Sequence, residues 1–125
     1  MNNDVENLHQ LNIEIGNSES VGDRNFFERI LAPVFAMRRA NGTHETRDTF
    51  LANVKEGGPR STTILSIALL GTRRAAVSCV VELDGKQYEN YRVFVRTSPS
   101  DPWTLLSWAN EAIGPGELAD RDEGR

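Results

Sequence analysis

Two adjacent arginines, Arg38 and Arg39, close the apolar run at 34–37 and are followed by Asn-Gly at 41–42. On a strand, neighbouring side chains point to opposite faces, so only one of the two can enter the protein. Phe35 and Met37 share a face with Arg39, and Val34 and Ala36 share the other with Arg38, so the pattern leans towards Arg39 inside. A guanidinium that loses its water without gaining a partner costs several kcal/mol. Three fates stay open for Arg39: an ion pair with an internal carboxylate, a solvated place at a rim, or a grip on the carboxylate of a bound molecule. Its planar fork suits the last, because it makes two hydrogen bonds to a carboxylate at once. Glu89 is the first internal candidate, on the same face as Tyr91, Val93 and Val95, and Glu111 is the second.

Other residues bear on a pocket. Asn12 interrupts an apolar helical stripe, where it either meets a ligand or bonds the neighbouring backbone. Tyr91 is a pocket hydroxyl or a core residue whose hydroxyl reaches solvent. Trp108 and Asn110 share one face of the last strand; an inward Trp108 would be a stacking wall, and an outward one, the preferred reading, part of a subunit interface. Ile15, Phe27, Phe35, Met37 and Phe50 supply apolar lining. His9 and His44 are far apart in polar settings, and the single cysteine, Cys79, lies in an apolar run. These give no metal-ligand spacing and no nucleophile paired with a base, and no phosphate-binding loop occurs. No cofactor is called for.

The elements that must position these groups read as follows. Val5, Leu8, Leu11, Asn12 and Ile15 fall at helical spacing, which predicts a helix over about 4–20, with Asn3 as its cap and Glu6 completing a capping box. Gly22 ends it, Asp23 caps a short second helix carrying Phe26, Phe27, Ile30 and Leu31, and Pro33 stops that one. The first strand is 34–39, 41–45 is a turn, and Thr46 caps a third helix with Asp48 in its first turn. Then the period changes to two. Strands are expected at 61–71 and 75–83, a two-residue Asp-Gly hairpin at 84–85, and further strands at 86–97 and 103–113. Helices first and strands later predict an α+β fold, with helices on one face of an antiparallel sheet.

The 125 residues suit one domain over 1–114, with a Gly-rich, charged and disordered tail at 115–125. Apolar residues at 38% suffice for a core, and a net charge of -4 without a basic face argues against nucleic acid. No apolar run reaches the ~18 residues of a membrane helix, and the first residues do not read as a secretory signal. A soluble, cytoplasmic protein is expected.

The order of elements, with "GD" at 22–23, "LAPVFAMRRANG" at 31–42, "TRDTFLANV" at 46–54 and "YRVFVRTSPSDPWTLLSWAN" at 91–110, resembles the nuclear transport factor 2-like superfamily, in its SnoaL-like and ketosteroid-isomerase-like branch. The resemblance spans roughly 5–113 and implies a cystatin-like, cone-shaped roll. Three helices pack on a curved antiparallel sheet, a pocket opens at the wide end, and homodimers form through the outer sheet face. It also implies, for the isomerase members, a carboxylate base on the first strand with a tyrosine and a second acid as oxyanion donors. Here the base position falls on Arg39, the tyrosine position on Ile15, and the second acid near Tyr91 or Arg92. Isomerase chemistry in that form is therefore missing. The leading expectation is a small-molecule-binding domain with an apolar pocket, for a carboxylated or aromatic ligand that the sequence does not specify. The alternatives are an isomerase, dehydratase or cyclase of the SnoaL-like type, and an interaction module whose work is the dimer. A pocket sealed by Phe27, Phe35, Met37 and Phe50 would favour the module; an open one with Arg39, Tyr91 and Asn12 converging would favour the first two.

Overall fold

The computed structural model describes residues 3–114, and the tail at 115–125 lies outside them. The chain runs α1 (Asp4–Val21), α2 (Arg24–Ile30), β1 (Leu31–Arg38), β2 (His44–Thr46), α3 (Arg47–Asn53), β3 (Ser61–Leu69), β4 (Arg74–Leu83), β5 (Lys86–Val95) and β6 (Thr104–Ile113). The strands form one six-stranded sheet in the order β2-β1-β6-β5-β4-β3. All neighbours are antiparallel except β1 and β6, which are parallel. The architecture is the α+β arrangement expected, with one strand more than the sequence reading gave. β2 occupies part of the expected turn at 41–45, and Glu45 pairs with Met37 across it.

Local chemistry accounts for most boundaries. Gly22 ends α1 in the left-handed conformation (φ 74°), and a Cβ there would stand 2.6 Å from the Lys55 carbonyl carbon. Asp23 accepts from the Phe26 N–H at the start of α2, and Thr46 and Thr49 form a reciprocal capping box on α3. Asp84 and Gly85 both have positive φ, as a two-residue hairpin between β4 and β5 requires. The start of α1 departs from expectation. Asn3 sits at φ -106°, ψ 26°, not the extended conformation that aims a capping side chain, and makes no side-chain cap. Val5, expected on the apolar stripe, is 52% exposed.

The helices cover one face of the sheet. Leu8, Asn12 and Ile15 of α1 are fully buried, and Phe50 contacts Phe27 and Phe35 edge to face at 5.0 and 5.7 Å. Phe50 continues the chain of rings to Trp108, 5.9 Å away. Among the described residues no helix is long and apolar enough to cross a membrane.

Candidate functional site

The parity of β5 decides where the pocket is. Asn90, Arg92 and Phe94 are buried on the helix-covered face, whereas Tyr91 is 45% exposed on the other. The expectation that Tyr91, Val93 and Val95 point inward with Glu89 is therefore inverted. Glu89 is buried, but on the opposite side of the strand from Asn90 and Arg92. Trp108 pairs with Arg92 across the sheet and is 2% exposed, so it is an inner residue and not part of an outer interface.

Arg92 is the anchor of the inner face. It is 1% exposed, stacks over the Trp108 ring at 4.5 Å, and donates to Asn12 Oδ1 and Asn90 Oδ1, each at 3.0 Å. Trp108 Nε1–H donates to Asn90 Oδ1 at 2.7 Å and to Asn110 Oδ1 at 3.0 Å. Asn12 in turn donates to the Leu8 carbonyl at 2.7 Å. The polar break in the α1 stripe thus holds Arg92 in place while satisfying the helix backbone. Burial pulls the Arg92 guanidinium below its ordinary value, against the Cys79 and Glu19 charges, while Arg60 works in the same direction as burial.

Beside this network a cavity of about 290 Å³ opens between the end of α1, the end of β1, the start of β3 and the β4–β5 hairpin. Glu19, Arg39, Arg60, Tyr88, Asn90 and Asn110 line it, with Val81 and Leu83 as apolar wall. A second lobe of about 260 Å³ continues past Glu19, Arg39 and Arg60 towards Phe27, Phe50 and Lys55. The segment between α3 and β3 straps over this end through Gly57 N–H to Glu19 O at 3.1 Å and Gly58 N–H to Ser20 O at 3.3 Å.

Arg39 does lie on the inner side, just beyond β1. Its carboxylate partner is Glu45 on β2, not Glu89 or Glu111, and its guanidinium also lies 6.0 Å from the Phe50 ring centroid. Its side chain keeps 40% of its exposure. Glu111 goes instead to the outward Arg38, at 3.7 Å. Antiparallel pairing of β1 with the unexpected β2 is what brings Glu45 beside Arg39.

Glu19 is the one carboxylate lining either lobe among the described residues. Its Oε1 lies 3.3 Å from Arg60 Nη1, and its side chain is 18% exposed. Burial pushes its carboxyl above the usual carboxylate value, outweighing the opposing charges of Arg92, Arg60 and Arg39 and the hydrogen bond from Arg60. The stability linked to this group is therefore present below the ordinary glutamate value and is lost as pH rises through the higher folded-state value.

Of the residues singled out in the sequence, Arg39, Phe27, Phe50 and Asn110 line the cavity. Asn12, Ile15, Phe35, Met37 and Trp108 pack beneath it in the core, and Glu89 and Tyr91 belong to the other face of the sheet. Glu19, Arg60, Tyr88 and Asn90 were not among the residues singled out, and Arg92 entered only as one of two places for the second acid. Glu19 was within reach, since it follows Asn12 and Ile15 at seven and four residues on the same helical stripe.

No family model and no curated protein sequence matches the chain. Solved structures do. A nuclear transport factor 2-like protein of unknown function from Silicibacter pomeroyi superposes with a TM-score of 0.75 at 16% identity, over 87% of this chain and 95% of that one. A cystatin-like fold protein from Burkholderia xenovorans gives 0.73 at 16% identity, over 88% and 92%. A putative calcium/calmodulin-dependent kinase II association domain from Exiguobacterium sibiricum gives 0.70 at 12% identity, over 92% and 97%.

Proposed function

Given that the chain has the nuclear transport factor 2-like fold, we propose that it binds a small carboxylated molecule in the cavity between α1, β1 and the β4–β5 hairpin. The observation that carries this reading is the wall itself. Arg39, Arg60 and Lys55 line the two lobes against Glu19, the single carboxylate there among the described residues, and Arg92 is buried beside them. Tyr88, Asn90 and Asn110 add directional hydrogen-bonding groups, and Phe27, Phe50, Val81 and Leu83 the apolar surface. The larger lobe is near the lower edge of the ~300–1,000 Å³ typical of ligand sites, which suits one ring with a carboxylate better than a steroid. Polar side chains converge on an open cavity, which argues against a sealed interaction module. The isomerase alternative is weaker, because the resemblance puts Arg39 and Ile15 where its members carry a base and a tyrosine donor.

The test is thermal unfolding of the purified protein with benzoate, 1-naphthoate and the neutral control benzamide. A carboxylate at ~100 times its dissociation constant should stabilise by about 2.7 kcal/mol. Benzamide should not, and Arg60→Met should abolish the effect. Equal responses to benzoate and benzamide, or none to any carboxylate, would remove the reading.

The opposite face of the sheet favours a homodimer. Val34 at 76% and Tyr91 at 45% exposure face solvent, and Tyr91 lines, with Ala36, Val93, Ser107 and Ala109, a shallow groove of about 500 Å³. The paired substitutions Tyr91→Asp and Val93→Asp should convert a dimer to a folded monomer in light scattering. A variant that keeps the dimeric mass places the contact elsewhere.

A further inference from the structure

We propose that the cavity takes up its anion together with a proton, and that the proton lands on Glu19. The inference rests on the carboxylate-binding reading above and adds the linkage.

The cavity's arginines differ in how they are held. Arg39 is paired from behind by Glu45, which lines neither lobe, and Arg92 is held by the neutral oxygens of Asn12 and Asn90. Arg60 alone of the three has a carboxylate partner that itself lines the cavity. A ligand carboxylate that docks on Arg60 must displace Glu19 or sit beside it. Two carboxylates sharing one site cannot both stay ionised at ordinary cost, so one takes a proton.

Which one protonates follows from what faces Glu19. Arg60 stands before β3, Arg39 at the end of β1, Lys55 on the strap after α3, Arg92 and Tyr88 on β5, and Cys79 on β4. The arginines favour its ionised form, yet burial already outweighs them in the absence of a second anion. A second negative charge within reach of Arg60 takes away the direct hydrogen bond and ion pair that favour ionised Glu19, and adds repulsion. The exchange is balanced: the ligand oxygen replaces the Glu19 oxygen as acceptor for Arg60, Glu19 gains one proton from solvent, and the charge of the site is unchanged.

Calorimetric titration of the full chain with benzoate tests this, in phosphate and in Tris, whose ionisation heats differ. About one proton should be taken up per ligand, and affinity should rise about tenfold per unit fall in pH between the values of Glu19 in the free and filled states. Glu19→Gln should bind benzoate at least as tightly, without pH dependence and without proton uptake. Carbon-13 shifts of the Glu19 carboxyl in the unaltered chain give an independent reading, and should show its titration moving to higher pH when benzoate is added. Benzoate binding that is independent of pH, or an unmoved Glu19 titration at saturation, would overturn the inference and leave the binding reading standing. Failure of both benzoate and 1-naphthoate to bind at any pH would overturn both.

Discussion

Phe50→Ala is expected to lower the stability of the domain by about 3–5 kcal/mol. Phe50 is 4% exposed and touches Phe27, Phe35 and Trp108, so it joins α3 to α2, β1 and β6 through four rings. Alanine removes the transfer free energy of the ring and leaves a hole that cannot collapse, because its neighbours are fixed by one another and by the sheet. Set against a total of ~5–15 kcal/mol for a domain, the loss is a large fraction. Urea unfolding should show the midpoint falling with little change in slope. A loss under about 1 kcal/mol would mean that α3 is not fastened to the core through Phe50.

Phe94→Asp is expected to abolish folding. Phe94 is fully buried and paired with Ala75 and Leu105 on the inner face. An aspartate there loses its water among apolar neighbours, at a cost comparable to the whole stability of the domain. Circular dichroism should show an unfolded chain, while the neighbouring substitution Val93→Asp, on the other face, should leave the fold intact. A folded Phe94→Asp protein would reverse the assignment of the two faces.

That reversal is the assignment the sequence itself suggests, and the reason is physical. On β5 the apolar alternation selects Tyr91, Val93 and Val95, and apolar residues usually mark the core face. Here the covered face carries Tyr88, Asn90 and Arg92, because part of it is the wall of a cavity, and the solvent face carries the valines. Elsewhere local signals were sufficient. Gly22, Asp23, Thr46 and the Asp84-Gly85 pair fix their turns through backbone geometry and capping that depend on a few adjacent residues. β2 escaped notice because three residues give no periodicity, and with it went the true partner of Arg39. Glu19 lay on the α1 stripe in plain view, but a charged residue near the end of a helix reads first as solvated. Arg60 follows Gly-Gly-Pro and carries no signal of its own; only the strap that holds it over Glu19 gives it a place in the cavity.

The chain has two tryptophans, and they report on different parts of the molecule. Trp108 donates to the two asparagines that line the cavity, whereas Trp103 stacks under Arg96 beside Asp4 at the start of α1. The decisive measurement is therefore a nitrogen-15 correlation spectrum of the two indole N–H groups during titration with benzoate. Binding in the proposed cavity should shift the Trp108 indole progressively to saturation and leave Trp103 in place. A saturating shift confined to Trp103, or an unmoved Trp108 at benzoate concentrations that stabilise the protein, would contradict the assignment of the ligand site.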